Sequence, residues 1–190
     1  MSIARLFNVL AGYYPLSEGF KKALEREMIP LSPIKNHVLL EAPNISTHAY
    51  YLVDGFALSY SFHEGKKITE AFWNPGEIIV SFESFFEQVP SMESIQLLKK
   101  SEVLYISYAS VMKLLETFPE AQWICRAIII KHYTQCRARI HDMQRLSAHQ
   151  RFEKLLHAYP DLELIVSQDA IASYLGITAQ SLARMKRKED

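Results

Sequence analysis

The fold is decided by residues 167–188, which read SQDAIASYLGITAQSLARMKRK. Ser167 is suited to cap the start of a helix, because its hydroxyl can accept a hydrogen bond from a backbone N–H of the first turn. Gly176 can adopt the left-handed backbone conformation that a tight turn requires. Thr178 can then cap a second helix. The stretch therefore predicts two short helices around a tight turn.

The second predicted helix has one apolar side and one polar side. Leu182 and Met185 form the apolar side, which we expect to be buried. The opposite, exposed side carries Ala179, Gln180, Ser181 and Arg184, and a basic segment follows. A helix of this kind can enter the major groove of DNA, where side chains of its first turns meet base edges. The alternative is an ordinary helical hairpin with a solvated basic end.

The residues predicted to contact DNA share an exposed position near the start or the polar side of these two helices. They are Ser167, Gln168, Thr178, Ala179, Gln180, Ser181, Arg184, Lys186 and Lys188. Side chains near a helix start reach bases or phosphates, and the lysines suit phosphates.

Composition places the chain among ordinary globular proteins. Its 190 residues suit one large domain or two small ones, and 49% of them are hydrophobic. The net charge is zero, which argues against a non-specific coat on nucleic acid. The charge is uneven, however, since 11 Lys and Arg against 8 Asp and Glu follow residue 118. This bias suits a protein that contacts phosphates with one small surface.

Targeting and cysteine signals indicate a cytoplasmic protein. No apolar run is long enough to span a bilayer, and the N-terminus lacks the layout of a signal peptide, so no membrane partner is expected. Cys125 and Cys136 are expected to be free, buried thiols, because they lie on one predicted helix. A zinc or iron–sulfur site would need more ligands at close spacing, so no cofactor or metal is expected.

The spacing of hydrophobic residues changes along the chain from a helical to a strand-like pattern and back. Residues 3 to 28 predict two helices, of which Ser17 caps the second. From residue 34 to 106, short strands separated by turn signals such as Asp54-Gly55 predict a small antiparallel barrel or roll. After a short helix, Pro119 opens a long helix that reaches about Arg145.

The long helix has an apolar stripe formed by Trp123, Ala127, Ile130 and Thr134. A helix longer than a small roll requires predicts pairing with the same helix of a second copy. Burial of the whole helix against its own chain is the alternative. Three segments follow: residues 1–118 as a roll with flanking helices, residues 119–146 as a dimerisation helix, and residues 147–190 as a helix-turn-helix domain.

This order of elements resembles the Crp/Fnr (cyclic AMP receptor protein-like) family of bacterial transcription regulators. The resemblance covers nearly the whole chain and rests on Tyr51-Leu52-Val53-Asp54-Gly55, Asn74-Pro75-Gly76-Glu77, Ile171-Ala172-Ser173-Tyr174-Leu175-Gly176-Ile177-Thr178 and Ser181-Leu182-Ala183-Arg184. It implies an α+β fold with an N-terminal antiparallel β-roll of the cyclic-nucleotide-binding type, a double-stranded β-helix or jelly roll. It also implies a dimerisation helix and a DNA-binding helix-turn-helix domain.

The resemblance further implies double-stranded DNA and a second copy of the chain as partners. In the family, the equivalents of Ala179, Gln180 and Arg184 point at bases, and Arg184 matches an arginine that can clasp guanine. The family often adds a β-hairpin wing after the second helix. Here Asp190 is reached first, so wing contacts to phosphate are expected to be missing.

The segment that would hold a cyclic nucleotide departs from the family pattern. Val80-Ser81 stands where family members have a Gly-Glu pair for the ribose, and no arginine occurs between Arg26 and Arg126. A phosphate without a guanidinium loses its strongest bonds, and Glu93 would repel it. Cyclic AMP is therefore not expected to bind. The residues assigned to a degenerate pocket, for an unknown small-molecule effector or none, are Ile79, Val80, Ser81, Phe82, Ser91, Glu93 and Ser94.

Two other classes of function compete with the DNA-binding regulator. One is a small-molecule sensor, cyclic nucleotides included, whose C-terminal helices do not bind DNA. The other is an enzyme on a cupin-like barrel, for which His37, His48 and His63 would be metal ligands. These histidines follow no metal-binding pattern, and the chain shows no nucleophile with a neighbouring base. We therefore predict that the chain is not an enzyme.

Overall fold

The computed structural model describes residues 2–187 and contains a small β-roll with helices on both sides. The helices are α1 (Ser2–Ala11), α2 (Glu18–Glu27), α3 (Phe82–Glu87), α4 (Tyr108–Thr117), α5 (Pro119–Arg145), α6 (Ala148–Ala158), α7 (Leu162–Ile165), α8 (Gln168–Tyr174) and α9 (Ala179–Lys186). The strands are β1 (Ile29–Leu31), β2 (Val38–Leu40), β3 (His48–Asp54), β4 (Ala57–His63), β5 (Lys66–Trp73), β6 (Ile78–Ile79), β7 (Ser94–Leu97) and β8 (Glu102–Ser107).

Two antiparallel sheets form the roll, as the strand pattern predicts. The first sheet has the order β1-β8-β3-β6 and the second has the order β2-β7-β4-β5. The side chains between the sheets form the roll core, in which Leu52, Ile79, Leu97 and Val103 are fully buried. The roll is thus a packed sandwich along most of its length.

Helices from the first part of the chain cover the outer face of the first sheet, which we call the N-terminal face. Leu6, Phe20 and Ile124 pack there against Leu104 of β8. The Ser17 hydroxyl caps α2 by accepting a hydrogen bond from the Phe20 N–H at 3.1 Å, as predicted. The first half of α5 is therefore part of this core.

Helices from the end of the chain cover the outer face of the second sheet, which we call the C-terminal face. Phe56, Leu58 and Phe72 of the roll share one apolar cluster with Phe152 and Ile171 of these helices. Successive side chains of a strand point to opposite faces, so Phe56 and Leu58 point out of the roll and Ala57 points in. The C-terminal helices are consequently packed on the roll.

Some features differ from the sequence prediction. The sequence pattern predicts no strand before residue 34, but residues 29–31 form β1 at the edge of the first sheet, paired with β8. Pro30 fits there because an edge strand tolerates a missing N–H. The prediction of two buried thiols is wrong for Cys136, which is exposed because its part of α5 extends beyond the N-terminal core; Cys125 is half-buried. None of the helices described between residues 2 and 187 has the length and apolar composition that a bilayer-spanning helix needs.

Candidate nucleic-acid interface and effector cleft

Cap residues and one glycine shape the C-terminal helix pair, α8 and α9. The Ser167 hydroxyl accepts a hydrogen bond from the Ala170 N–H at 3.3 Å, and Thr178 Oγ1 accepts one from the Ser181 N–H at 3.1 Å. Gly176 has φ +68°, and a Cβ there would lie 2.5 Å from Cε of Met143. The two predicted caps and the predicted turn are confirmed.

Helix α9 is anchored by its apolar side and leaves two polar side chains in solvent. Leu182 is fully buried, and half-buried Met185 packs against the same cluster. Gln180 and Arg184 are exposed and lie one helical turn apart. The prediction that Ala179 faces outward is wrong. Ala179 is half-buried, because the first turn of α9 rests on the cluster of the C-terminal face.

The remaining residues predicted to contact DNA differ in their solvent exposure and in their bonds to the rest of the chain. Ser167, Gln168 and Thr178 are exposed, whereas Ser181 is half-buried and its hydroxyl accepts a hydrogen bond from Thr178 Oγ1 at 2.9 Å. Lys186 forms an ion pair with Glu163 of α7. Lys188 lies outside the described residues. Of the two predicted cations that the structure describes, Arg184 is thus the one more open to a partner.

The solvent side of α5 carries a row of large apolar side chains. Exposed residues on this side of the helix include Trp123, Ile129, Ile130 and Tyr133. The ring of Trp123 stacks on Tyr14, with centroids 6.1 Å apart, while Thr134 is exposed and Ala127 half-buried. Contiguous exposed apolar surface is typical of a protein–protein contact.

A cleft of about 860 Å³ lies between the roll, the second half of α5 and the C-terminal helices. The roll contributes acidic and aromatic side chains to it, among them Glu70, Trp73 and Glu93. Burial raises the pKa of Glu93, although the nearby Ser59 and Ser81 hydroxyls favour its charged form. From α5, His132 faces the cleft, and burial lowers its pKa. The roll side of the cleft therefore disfavours a phosphate.

Of the predicted pocket residues, Val80 and Glu93 line this cleft. The Ser81 and Ser91 hydroxyls lie 3.2 Å apart and bond each other, and the Ser94 hydroxyl accepts a hydrogen bond from the Ala42 N–H at 3.0 Å. Ile79 belongs to the roll core, and the Phe82 ring stacks on His132 at 4.4 Å. The structure therefore brings two of the seven residues to the cleft and uses the others in packing or internal hydrogen bonds.

Two arginines reach the cleft from helices, and the strand pattern did not indicate them. Arg139 donates to the backbone oxygens of Glu70 at 2.7 Å and Tyr174 at 3.2 Å. Arg151 donates to the backbone oxygens of Leu146 at 2.7 Å and Leu175 at 2.9 Å. Both guanidinium groups thus hold the C-terminal helices in place. The available signal was the helical spacing of cleft residues on α5, namely His132, Cys136, Arg139 and Met143.

No protein-family model matches the sequence, and no curated protein matches it. Solved structures do match. A protein from Eubacterium rectale described as a transcriptional regulator of the Crp/Fnr family has a TM-score of 0.76 at 16% identity, over 93% of this chain and 87% of that one. The chain has the fold of the Crp/Fnr regulators.

Two other solved structures match large parts of the chain. The c-di-GMP-responsive global regulator CLP of Xanthomonas campestris has a TM-score of 0.70 at 16% identity, over 90% of this chain and 91% of that one. A cyclic nucleotide-binding domain from Methylobacillus flagellatus has a TM-score of 0.66 at 13% identity, over 76% of this chain and 85% of that one. Matches that cover 90% or more of this chain must include part of residues 147–190.

Proposed function

We propose that this chain is a cytoplasmic, homodimeric transcription regulator of the Crp/Fnr type that binds specific DNA sequences. The observation that carries the proposal is the mounting of α9, where buried Leu182 anchors the helix and exposed Gln180 and Arg184 face solvent. A helix mounted in this way can place both side chains in a major groove. In this proposal residues 1–118 sense an effector, residues 119–146 dimerise and residues 147–190 bind DNA.

The test compares two cations of α9. Arg184→Ala should weaken binding by about 1–3 kcal/mol and relax the preference at one base position of each half-site, because a bidentate contact to guanine is lost. Lys186→Ala is the control, since Lys186 is already paired with Glu163. It should weaken all sequences alike by a smaller amount and flatten the salt dependence. Fluorescence anisotropy on selected genomic fragments at several salt concentrations measures both effects.

The outcome of this series separates base reading from phosphate binding. A uniform loss for Arg184→Ala, with unchanged sequence preference, would mean that Arg184 contacts phosphate and that α9 does not read bases through it. Absence of salt-dependent binding to any fragment would contradict the DNA-binding proposal as a whole.

The proposed dimer rests on the exposed apolar side of α5. Ile130 is 51% exposed there, and a second copy of the helix would cover it. Ile130→Glu should convert the dimer to a monomer in sedimentation equilibrium, because it places a charge in the contact. Gln135→Glu adds the same charge on the cleft side of α5 and should leave the dimer intact. A wild-type monomer at micromolar concentration would be incompatible with this dimer.

We propose that the effector of the cleft, if the protein has one, is not a cyclic nucleotide. Val80 and Glu93 line the cleft. The guanidinium groups of Arg139 and Arg151 already donate hydrogen bonds to backbone oxygens. A phosphate would have to break those bonds or remain beside carboxylates.

A second function is favoured by one feature of the C-terminal helices. Lys186 is neutralised by Glu163, and α8 packs directly on β5 through the cluster of the C-terminal face. These contacts suit a small-molecule sensor in which the helix pair completes the roll and does not bind DNA. The anisotropy series above distinguishes the two functions, because a sensor of this kind shows no salt-dependent binding to genomic fragments.

A further inference from the structure

A second hollow lies among the apolar side chains of the N-terminal face, and Val80 lines both this hollow and the cleft. Its volume is about 140 Å³, and its lining includes the buried side chains of Leu6, Phe20, Phe85, Leu114 and Ile124. We propose that this cavity is a binding site for one small, uncharged, apolar molecule of about the size of benzene or a short alkane. The site borders the cleft at Val80, and binding there does not depend on DNA binding.

The cavity is larger than the voids that protein interiors usually contain. Protein interiors are close-packed and contain few voids larger than a water molecule. A cavity of about 150 Å³ lined by Leu, Ile and Phe in another protein stays dry and takes up benzene or xenon. The cavity of this chain has nearly the same volume and the same kind of lining. An apolar guest of that size therefore fits it.

The chemistry of the lining decides the class of guest. Hydrocarbon and aromatic side chains form almost all of the lining, and the thiol of Cys125 is one of its few polar groups. The hydroxyl of Tyr50, a lining residue, donates to the Leu39 carbonyl oxygen at 3.0 Å. A water molecule needs two to four polar partners, which this surface does not supply. A charged or strongly polar guest would lose its hydration without replacement.

The position of the cavity gives the guest a connection to the rest of the molecule. Ala121, Ile124 and Ile128 of α5 contribute to its lining, and the opposite side of the same helix exposes Trp123 and Ile130. Phe82 of α3 also lines the cavity while its ring stacks on His132, a residue of the cleft. A guest would thus touch both the helix proposed to dimerise and α3, whose Phe82 contacts the cleft residue His132.

Thermal unfolding of the full chain in the presence of benzene tests the site. A guest that binds the folded state alone stabilises it, so saturating benzene should raise the melting temperature of the wild type by a few degrees. Ala121→Leu adds carbon atoms at the cavity wall and should abolish that rise. Ala4→Leu adds the same atoms at an exposed position of α1 and should keep it. No rise in the wild type, or an equal rise in Ala121→Leu, would overturn the proposal.

Xenon gives a direct measurement on the unmodified protein and covers the case in which Ala121→Leu fails to fold. In a crystal of the wild type under xenon pressure, one xenon atom should occupy the space between Leu24, Leu114 and Ile124. Xenon bound elsewhere, or an empty cavity at a pressure that fills other apolar voids in the crystal, would contradict the site.

Discussion

The N-terminal and C-terminal faces of the roll are covered by helices in two different ways. On the N-terminal face the contact is apolar throughout its centre, and a cavity remains among the side chains. On the C-terminal face, polar groups tie the helices to the backbone of β5. Tyr159 Oη donates to the Phe72 oxygen at 3.0 Å, the Thr69 N–H donates to Ser173 Oγ at 3.0 Å, and Arg139 donates to the Glu70 oxygen.

This difference shows which face can move. Apolar contacts are non-directional, so the side chains around the cavity can adjust to a guest. Two specific bonds of this face join Ser2 of α1 to Glu102 of β8 and Ser110 of α4 to Glu27 of α2, and neither involves a residue that lines the cavity. Hydrogen bonds to strand carbonyls have fixed geometry, so the C-terminal helices must break them before they reorient. We therefore expect that ligand response on the N-terminal face is gradual and that release of the C-terminal helices is cooperative.

The largest expected effect comes from removing an aromatic ring at each face. Phe72 is buried on the C-terminal face, with ring centroids 4.9 Å from Tyr174 and 5.8 Å from Tyr159. Phe72→Ala should cost about 3–5 kcal/mol of unfolding free energy, since it opens a void in that cluster. Phe20→Ala on the N-terminal face should cost a similar amount. Equilibrium denaturation measures both losses.

Hydrogen exchange distinguishes the two faces even though the losses are similar. Phe72→Ala should speed exchange of the α8 amides, because α8 packs on the same cluster, and Phe20→Ala should leave those amides protected. Equal protection of α8 in both variants would mean that its attachment to the roll does not depend on the shared cluster.

A smaller effect is expected from the polar ties. Arg139→Met keeps a long side chain but removes the donors to the Glu70 and Tyr174 oxygens, and it should cost about 1–3 kcal/mol. Arg145→Met, an exposed arginine of the same helix, is the control and should change stability by less than about 0.5 kcal/mol. Urea denaturation compares them. Equal losses of unfolding free energy in the two variants would mean that the hydrogen bonds of Arg139 do not hold the C-terminal helices to the roll.

Local chemistry explains which features the sequence could predict. Each cap is a local feature. Ser167 and Thr178 each accept a hydrogen bond from a residue three positions later, and the turn between the helices depends on Gly176 itself, so a short stretch contains the whole pattern. The antiparallel roll follows from strand length and turn residues. In contrast, alternation shows that Phe56 and Leu58 share a face but not which element covers that face.

The candidate site was harder to predict, because it is assembled from distant segments. Ser81, Ser91 and Ser94 look like ligand groups in the sequence, but the fold uses their hydroxyls for hydrogen bonds within the roll. Arg139 lies far along the chain from β5, whose backbone it binds. Ala179 lies on the polar side by periodicity, yet the packing of α9 covers it.

The smallest expected effect concerns the charge of Glu93 in the cleft. Burial raises the folded-state pKa of Glu93, so the folded protein holds a proton that the unfolded chain releases between the ordinary glutamate pKa and that raised value. Unfolding then releases protons, and the contribution of Glu93 to stability falls as pH rises through that window. Above that window the buried charge of Glu93 lowers the free energy of unfolding by its full amount, and below the ordinary glutamate pKa this destabilisation vanishes.

Glu93→Gln is neutral at every pH and removes this destabilisation. We expect the variant to unfold at a higher temperature than the wild type at pH 7, with a difference that shrinks toward pH 4. Glu41→Gln, at an exposed position after β2, should show no such pH-dependent difference. A calorimetric series over this pH range that shows the same difference at every pH would mean that packing of the amide, and not the charge of Glu93, sets the stability of the cleft.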